Sequence, residues 1–374
     1  MQGARQSGQR DAATGAEFRG DGDVVTDLEV REHPRSITYV HEQHPLGAET
    51  IEIAPGILWA RIPLPFRLNH VNVWLLREHD GWTLVDTGTA DVKARAVWDE
   101  LLAGVLSGAP IVRMIATHGH TDHVGLAGWL FNRFGGVPYH ITLTEWLSAQ
   151  LRVEEAKQPL GPEATRFLEQ HGCDVETIAS FGDERIRTRT YMEKLPAAFV
   201  RLRDGATVRF GGRQWEVMIC GGHAPAHASF WCADDRILIA GDQVLSKISP
   251  MIGVMPHEPE ANPLAEYLAS LDRFRRLPPD ALVLPSHGLP FHGLRLRVEE
   301  LAYHHQLRLS ALLELMATPS TTMTLARGLF PKPVAEGQGR HAFGETLAHA
   351  HYLLETGAAE QRRGADGQLL FARA

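Results

Sequence analysis

Residues 111–124 read Ile111-Val112-Arg113-Met114-Ile115-Ala116-Thr117-His118-Gly119-His120-Thr121-Asp122-His123-Val124. The opening apolar run has the length and β-branched content of a buried strand. From Val124 to Phe134 the spacing becomes helical, and it stops at Gly135-Gly136. Three imidazoles and one carboxylate therefore fall within six positions of a strand-to-helix loop. A turn can converge side chains so spaced on two adjacent cations, and imidazole with carboxylate suits zinc, iron or manganese. The bland reading is a polar loop of solvated histidines. It fits poorly, because the cluster ends a buried strand, where α/β proteins place their sites.

Four side chains leave the coordination of two cations incomplete, so further His or Asp is expected where later strands end. The sequence supplies them. Gly221-Gly222-His223 follows the run Trp215 to Cys220, Gly241-Asp242 follows Ile237 to Ala240, and Ser286-His287-Gly288 follows Leu282 to Leu284. A lone His after a strand is more often structural than a ligand, but residues at four matching strand ends are harder to dismiss. Trp82 to Val85 is another apolar run, and it delivers the carboxylate of Asp86 to a turn at Thr87-Gly88. His227, four residues past His223, is open to three readings: supporting the ligands, facing substrate, or structural. Cys220, inside an apolar strand, reads as a buried thiol. His304-His305, on a helix outside these motifs, reads as structural or as part of a domain contact.

Strands at Ile51 to Ile53, Ile57 to Ala60, Val71 to Leu76 and Ala228 to Trp231 mix with helices to about Leu102 and from Leu264 to Phe274, which gives an α/β class. At 374 residues the chain is long for one core, so a large domain with a smaller companion is expected. Residues 1–30 carry few large apolar groups and read as a flexible leader. Residues 31–294 form the main domain, with a polar helical cap over 144–193. Residues 295–374, helices followed by a hairpin at Asp366-Gly367, read as a small winged-helix-like domain.

Hydrophobic residues at 44% and charged residues at 22% are ordinary for a folded chain. A net charge of -8 opposes sequence-independent attraction to nucleic acid. The three cysteines lack C-x-x-C spacing, the first residues lack an apolar segment, and no later stretch reaches about 18 apolar residues. Together these point to a reducing cytoplasm and away from a membrane.

The segments THGHTDHVG from Thr117, GGHAPAH from Gly221, IAGDQ from Ile239 and LPSHG from Leu284, with VDTG at Asp86, resemble the successive motifs of the metallo-β-lactamase superfamily. The resemblance covers about residues 50–295. It implies an αββα sandwich and two divalent metal ions, zinc foremost, with iron or manganese as alternatives. One ion would be bound by His118, His120 and His223 and the second by Asp122, His123 and His287, with Asp242 bridging and Asp86 orienting the ligand loop. Asp122 and Asp242 would then be catalytic, and the reaction a hydrolysis of a small-molecule acyl substrate: an ester, thioester or lactone.

His120 stands where the oxygen-reducing diiron branch of the family carries glutamate, which favours hydrolysis. Leu245 stands where homoserine-lactone hydrolases carry a tyrosine, and the basic pattern of glutathione-thioester hydrolases finds no match. A winged-helix-like C-terminus also resembles small endoribonucleases of the superfamily, so phosphodiester hydrolysis of RNA is the alternative, opposed by charge. A non-catalytic, metal-containing binding protein is the remaining reading. It is weakened by a donor set of imidazole and oxygen where closed structural zinc sites use cysteine. The oligomeric state is left open.

Overall fold

The computed structural model describes residues 37–374, so the leader expected over 1–30 lies outside the described residues. After β1 (Thr38–Tyr39), short runs separated by Gly, Pro and Asp turns form β2 (Ile51–Ala54), β3 (Ile57–Pro63), β4 (His70–Arg77) and β5 (Trp82–Val85). These four strands are an antiparallel meander. Helix α1 (Val92–Ala103) starts at Asp91, whose carboxylate accepts the N–H groups of Lys93 and Ala94. It returns the chain to β6 (Ile111–Ile115), parallel to β5.

Where one helix was expected from Val124 to Phe134 there are two, α2 (Thr121–Val124) and α3 (Ala127–Arg133). The break falls at Gly125-Leu126 because the Leu126 N–H turns to the Gly88 carbonyl at 3.1 Å, tying the loop to the end of β5. Next come β7 (Tyr139–Ile141), α4 (Leu143–Glu155), α5 (Pro162–Gln170), α6 (Val175–Tyr191) and β8 (Val200–Arg201). The first sheet runs β2-β3-β4-β5-β6-β7-β8.

The second half begins with β9 (Thr207–Phe210), β10 (Arg213–Cys220), β11 (His227–Cys232) and β12 (Ile237–Gly241), all antiparallel neighbours. Helix α7 (Pro263–Arg275) crosses over to β13 (Leu282–Pro285), which is parallel to β12, and β14 (Phe291–His292) follows. The order of this sheet is β1-β14-β13-β12-β11-β10-β9. The chain finishes in α8 (Leu294–Leu315), α9 (Thr322–Leu329), α10 (Pro331–Ala335), α11 (Gly339–Glu355) and the hairpin β15 (Ala359–Arg363) with β16 (Leu369–Arg373), turned through Asp366-Gly367.

Hydrophobic burial arranges these elements in layers. Between the sheets, Trp59, Trp74, Val85 and Ile115 of the first meet Trp215, Val217, Phe230 and Ile239 of the second. On the outer face of the first sheet, Val73, Leu84 and Met114 are covered by Trp98 of α1, Leu130 of α3 and Ala149 of α4. On the outer face of the second, Met218, Leu238 and Val283 share one cluster with Leu271 of α7, Val298 of α8, Phe343 of α11 and Phe371 of β16. This is the αββα layering: both faces of each sheet are covered. Strands such as β5 and β12 are accordingly buried along their whole length and read as unbroken apolar runs.

The C-terminal helices continue the core of the second sheet and also enclose Leu168 of α5 and Phe181 of α6. No helix among the described residues is long and apolar enough to cross a membrane.

Candidate metal centre

All seven candidate ligands lie on the segments that follow β6, β10, β12 and β13, with Asp122 and His123 in the single turn of α2, and they meet along one edge of the sandwich. Among the described residues three groups bring single donor atoms within 4.8 Å of one another: His118, His120 and His223; His118, His123 and Asp242; Asp122, His123 and His287. In the first, His118 Nε2 lies 2.9 Å from His120 Nδ1 and 3.3 Å from His223 Nε2. In the last, Asp122 Oδ2 lies 3.6 Å from His123 Nε2 and 3.4 Å from His287 Nε2. Asp242 reaches both groups: Oδ2 is 3.2 Å from His223 Nε2, and Oδ1 is 3.5 Å from His123 Nε2 and 3.4 Å from His287 Nε2.

The rings are held from behind, and this fixes which nitrogen faces inward. His123 Nδ1 donates to Asp86 Oδ2 at 2.8 Å, His223 Nδ1 to the Met251 carbonyl at 2.9 Å, and His287 Nδ1 to the His70 carbonyl at 2.8 Å. Each bond places the proton on Nδ1 and leaves the Nε2 lone pair for the centre. Asp86 does more. Its φ of 64° turns the chain sharply after β5, a conformation Asp tolerates, and its carboxylate also accepts the N–H and the hydroxyl of Thr117, each at 2.8 Å. Thr117 in turn is 3.1 Å from His118 Nδ1. One buried carboxylate thus orients His123 directly and His118 through Thr117.

His227 stands apart from the three groups. Its ring is fully buried, and Nε2 accepts the Asp242 N–H at 3.1 Å. Burial, with His223 nearby, pushes its pKa down to about 3, so it serves as a neutral acceptor beneath Asp242.

Several supports escaped the sequence reading. Glu145 of α4, buried, accepts the Gly119 N–H and the Ala226 N–H, both at 2.8 Å, and so touches both loops of the first group. Asn72 of β4 donates to the carbonyls of Pro285 and Gly288 on either side of His287, at 2.7 and 2.9 Å. Arg297 of α8 donates to the carbonyls of Leu245, Lys247 and Ile248, fixing the loop that carries Met251 to His223.

A sequence signal existed for Glu145 alone. Thr142-x-x-Glu145 at the start of a helix is a capping pattern, but it predicts a bond back to Thr142, whereas the carboxylate bonds two other loops. Gly119 also has a geometric reason to be glycine: a Cβ there would lie 2.6 Å from the Glu145 carbonyl oxygen. Two expectations lie outside the centre as foreseen. Cys220 is a buried free thiol whose pKa burial pushes up to about 12. His305 is buried between α8 and α11, with Nδ1 3.1 Å from His349 Nε2, while the half-buried His304 accepts from Arg308 at 2.8 Å.

The donor set fits divalent cations on two observations. His123 Nε2, His287 Nε2 and Asp242 Oδ1 are buried and have no hydrogen-bond partner, although buried polar atoms are nearly always paired. The electrostatics also call for positive charge. Burial opposes it at His123, yet Asp122, Asp242 and Asp86 hold that imidazole well above its ordinary range. Likewise, against burial, Asp242 and Asp122 push His287 up to about 10. His118 and His120, by contrast, are kept well below theirs, first by burial and then by their histidine neighbours.

The centre opens into a cleft of about 590 Å³, floored by His120, Asp122 and His223. Leu64, Phe66 and Leu68 line it on the side of the first sheet, and Leu151, Leu160 and Phe181 on the side of α4 to α6.

Residues 67–287 match the family described as the metallo-beta-lactamase superfamily, and residues 309–374 match a metallo-beta-lactamase-like C-terminal domain. A beta-lactamase domain protein from Burkholderia ambifaria is 35% identical, with a TM-score of 0.80 over 90% of this chain and 99% of its own. A metallo-beta-lactamase family protein from Thermus thermophilus is 33% identical, with a TM-score of 0.74 over 86% and 100%. A probable metallo-hydrolase of Bacillus subtilis is 25% identical over 79% of this chain and 92% of its own. An acyl-coenzyme A thioesterase of Homo sapiens is 24% identical over 65% and 82%. The chain therefore belongs to the metallo-beta-lactamase superfamily, as a metallohydrolase of that fold.

Proposed function

We propose that the chain is a dinuclear hydrolase that cleaves an ester, thioester or lactone of a small molecule. The observation that carries this reading is the convergence of His123 Nε2, His287 Nε2 and Asp242 Oδ1, buried and unpaired, beside the triplet His118, His120 and His223. One cation would be held by that triplet and a second by Asp122, His123 and His287, with Asp242 shared. Zinc suits these donors best, and iron or manganese also accept them. When bound, such a pair supplies Lewis acidity and brings the pKa of water down toward neutrality.

The protein's own groups do the remaining work. Asp122 faces the cleft with 19% of its side chain exposed, against 8% for Asp242, so it is the carboxylate placed to orient a water and accept its proton. Asp242, held by His227 through its backbone N–H, keeps the two triplets in register. Helices α4 to α6 act as a cap whose apolar side chains receive the acyl part of the substrate. Relatives named as acyl-coenzyme A thioesterases and hydroxyacylglutathione hydrolases support an acyl substrate. The C-terminal helices and hairpin form the winged-helix-like part, and three buried free cysteines suit a reducing cytoplasm.

The test pairs metal analysis of the purified protein with a panel of acyl esters, thioesters, lactones and single-stranded RNA. Two divalent ions per chain and turnover on an acyl compound are expected. Cleavage of RNA with the acyl panel untouched makes the enzyme a nuclease and sinks the substrate class.

A further inference from the structure

The helix read as the start of a lid is also tied into the metal centre. Glu145 lies in the first turn of α4, only 2% exposed, and its two carboxylate oxygens divide between the two loops that carry the first ligand triplet. Oε2 accepts the N–H of Gly119, the residue between His118 and His120; Oε1 accepts the N–H of Ala226, three residues past His223. The same helix makes two more bonds to these loops. Thr142, its N-cap, donates its hydroxyl to the Ala226 carbonyl at 3.0 Å, and Arg152 donates to the Gly119 carbonyl at 2.8 Å.

Both polar groups of Gly119 and both of Ala226 are therefore satisfied from α4. None of these bonds reaches Asp122, His123 or His287; His123 is supported by Asp86, just past β5, and His287 by the β4 backbone. A buried carboxylate is costly unless its oxygens are fully used, and here two backbone donors from loops about 100 residues apart use them.

On the dinuclear reading above, we infer that Glu145 is a positioning residue that sets the separation of His118 and His120 from His223, and so the affinity of that one cation site and not of the other. Its length and symmetry are what matter. Gln in its place keeps one acceptor but points an amide N–H₂ at the other backbone N–H, so one of the two bonds is lost; Ala loses both.

The experiment is a zinc titration of metal-free, full-length protein against a chromophoric chelator. His120→Ala and His287→Ala serve as references that identify which step belongs to which triplet. Glu145→Gln should weaken the step that His120→Ala abolishes by about 10-fold or more, the scale on which ligand-orienting groups act. The step lost in His287→Ala should stay within about 2-fold. Turnover of Glu145→Gln should also recover as free zinc is raised, which a folding defect would not allow.

Equal weakening of both steps, or none, overturns the inference while leaving the dinuclear reading intact. Wild-type protein that takes up fewer than two zinc ions overturns both. If Glu145→Ala fails to fold, the near-isosteric Gln variant still decides the matter.

Discussion

The two halves of the centre arrive at one place by different routes. The first sheet delivers His118, His120, Asp122 and His123 from a single loop, whereas the second delivers His223, Asp242 and His287 one at a time from three loops. Ligands on one loop share a backbone, so a single support can orient several of them. Ligands on separate loops each need their own. The supports follow that rule: Asp86 acts on His123 and, through Thr117, on His118. On the other side His223 relies on Met251 and the Arg297 clamp, Asp242 on His227, and His287 on the β4 backbone. Damage to Asp86 should therefore spread to both triplets, whereas damage to a support that serves one second-half ligand should stay local.

Asp86→Asn should have the largest effect. The amide leaves the fold of β5 in place but turns an N–H₂ toward either Thr117 or His123, so His123 loses its Nδ1 acceptor or Thr117 its anchor. On the proposed dinuclear reading, in which His118 serves one cation and His123 the other, both zinc steps should weaken, with turnover falling about 10–100-fold. Loss of only one step in a chelator-competition titration would break the reading that Asp86 serves both triplets.

The same contrast explains what could be read from the amino-acid order. A His-x-His-x-Asp-His run betrays itself because its chemistry is contiguous, and His223, Asp242 and His287 become visible once the run demands partners after apolar strands. Asp86 is legible for the same reason, as a carboxylate at a strand end. Glu145, Asn72 and Arg297 are not, since each acts across the fold on backbone that is remote in sequence. The capping pattern Thr142-x-x-Glu145 points only to a local bond, and an Asn inside Val71-Asn72-Val73 and an Arg in a helix rich in Leu and Arg carry no mark at all.

The missed elements have similarly plain causes. Strands β7, β8 and β14 hold two or three residues each, too few for any period to show. Helix α10 opens Pro331-Lys332-Pro333, where proline reads as a breaker although it sits at the first helical positions. The C-terminal helices were recognisable by their apolar spacing, but nothing in that spacing says that Phe343 and Phe371 complete the core of the second sheet.

A mid-sized, local effect is expected at Arg297, 9% exposed on α8. Arg297→Met keeps the aliphatic stem and removes the donors to the carbonyls of Leu245, Lys247 and Ile248 at 2.7 to 3.0 Å. The Leu245 acceptor is buried, and stripping it of its partner costs about 1–3 kcal/mol, with less from the part-exposed Lys247 and Ile248 carbonyls, so the melting temperature should fall by a few degrees. The loop would then present Met251 less firmly to His223, and the His118, His120 and His223 step should weaken by about 10-fold while the His287 step holds. If both steps fell together, the clamp would be supporting the whole edge of the sandwich and not one ligand.

The smallest change belongs to His70, although it touches the His287 loop directly. His287 Nδ1 is held by the His70 backbone carbonyl at 2.8 Å, a bond that does not depend on the side chain. The imidazole itself only accepts the Gly288 N–H through Nε2 at 3.1 Å and lies 2.8 Å from Asn69 Oδ1. Burial, then the nearby Arg61, pushes its pKa down to about 3, so it carries no charge that the centre would miss. Meanwhile Asn72 goes on bracketing His287 from both sides. His70→Ala should therefore lower turnover by no more than about 5-fold, consistent with one neutral hydrogen bond of roughly 1 kcal/mol, and leave both zinc steps in place. A loss as large as that of Asp86→Asn would mean that the His70 ring reaches substrate or a ligand, and that the second half of the centre shares supports after all.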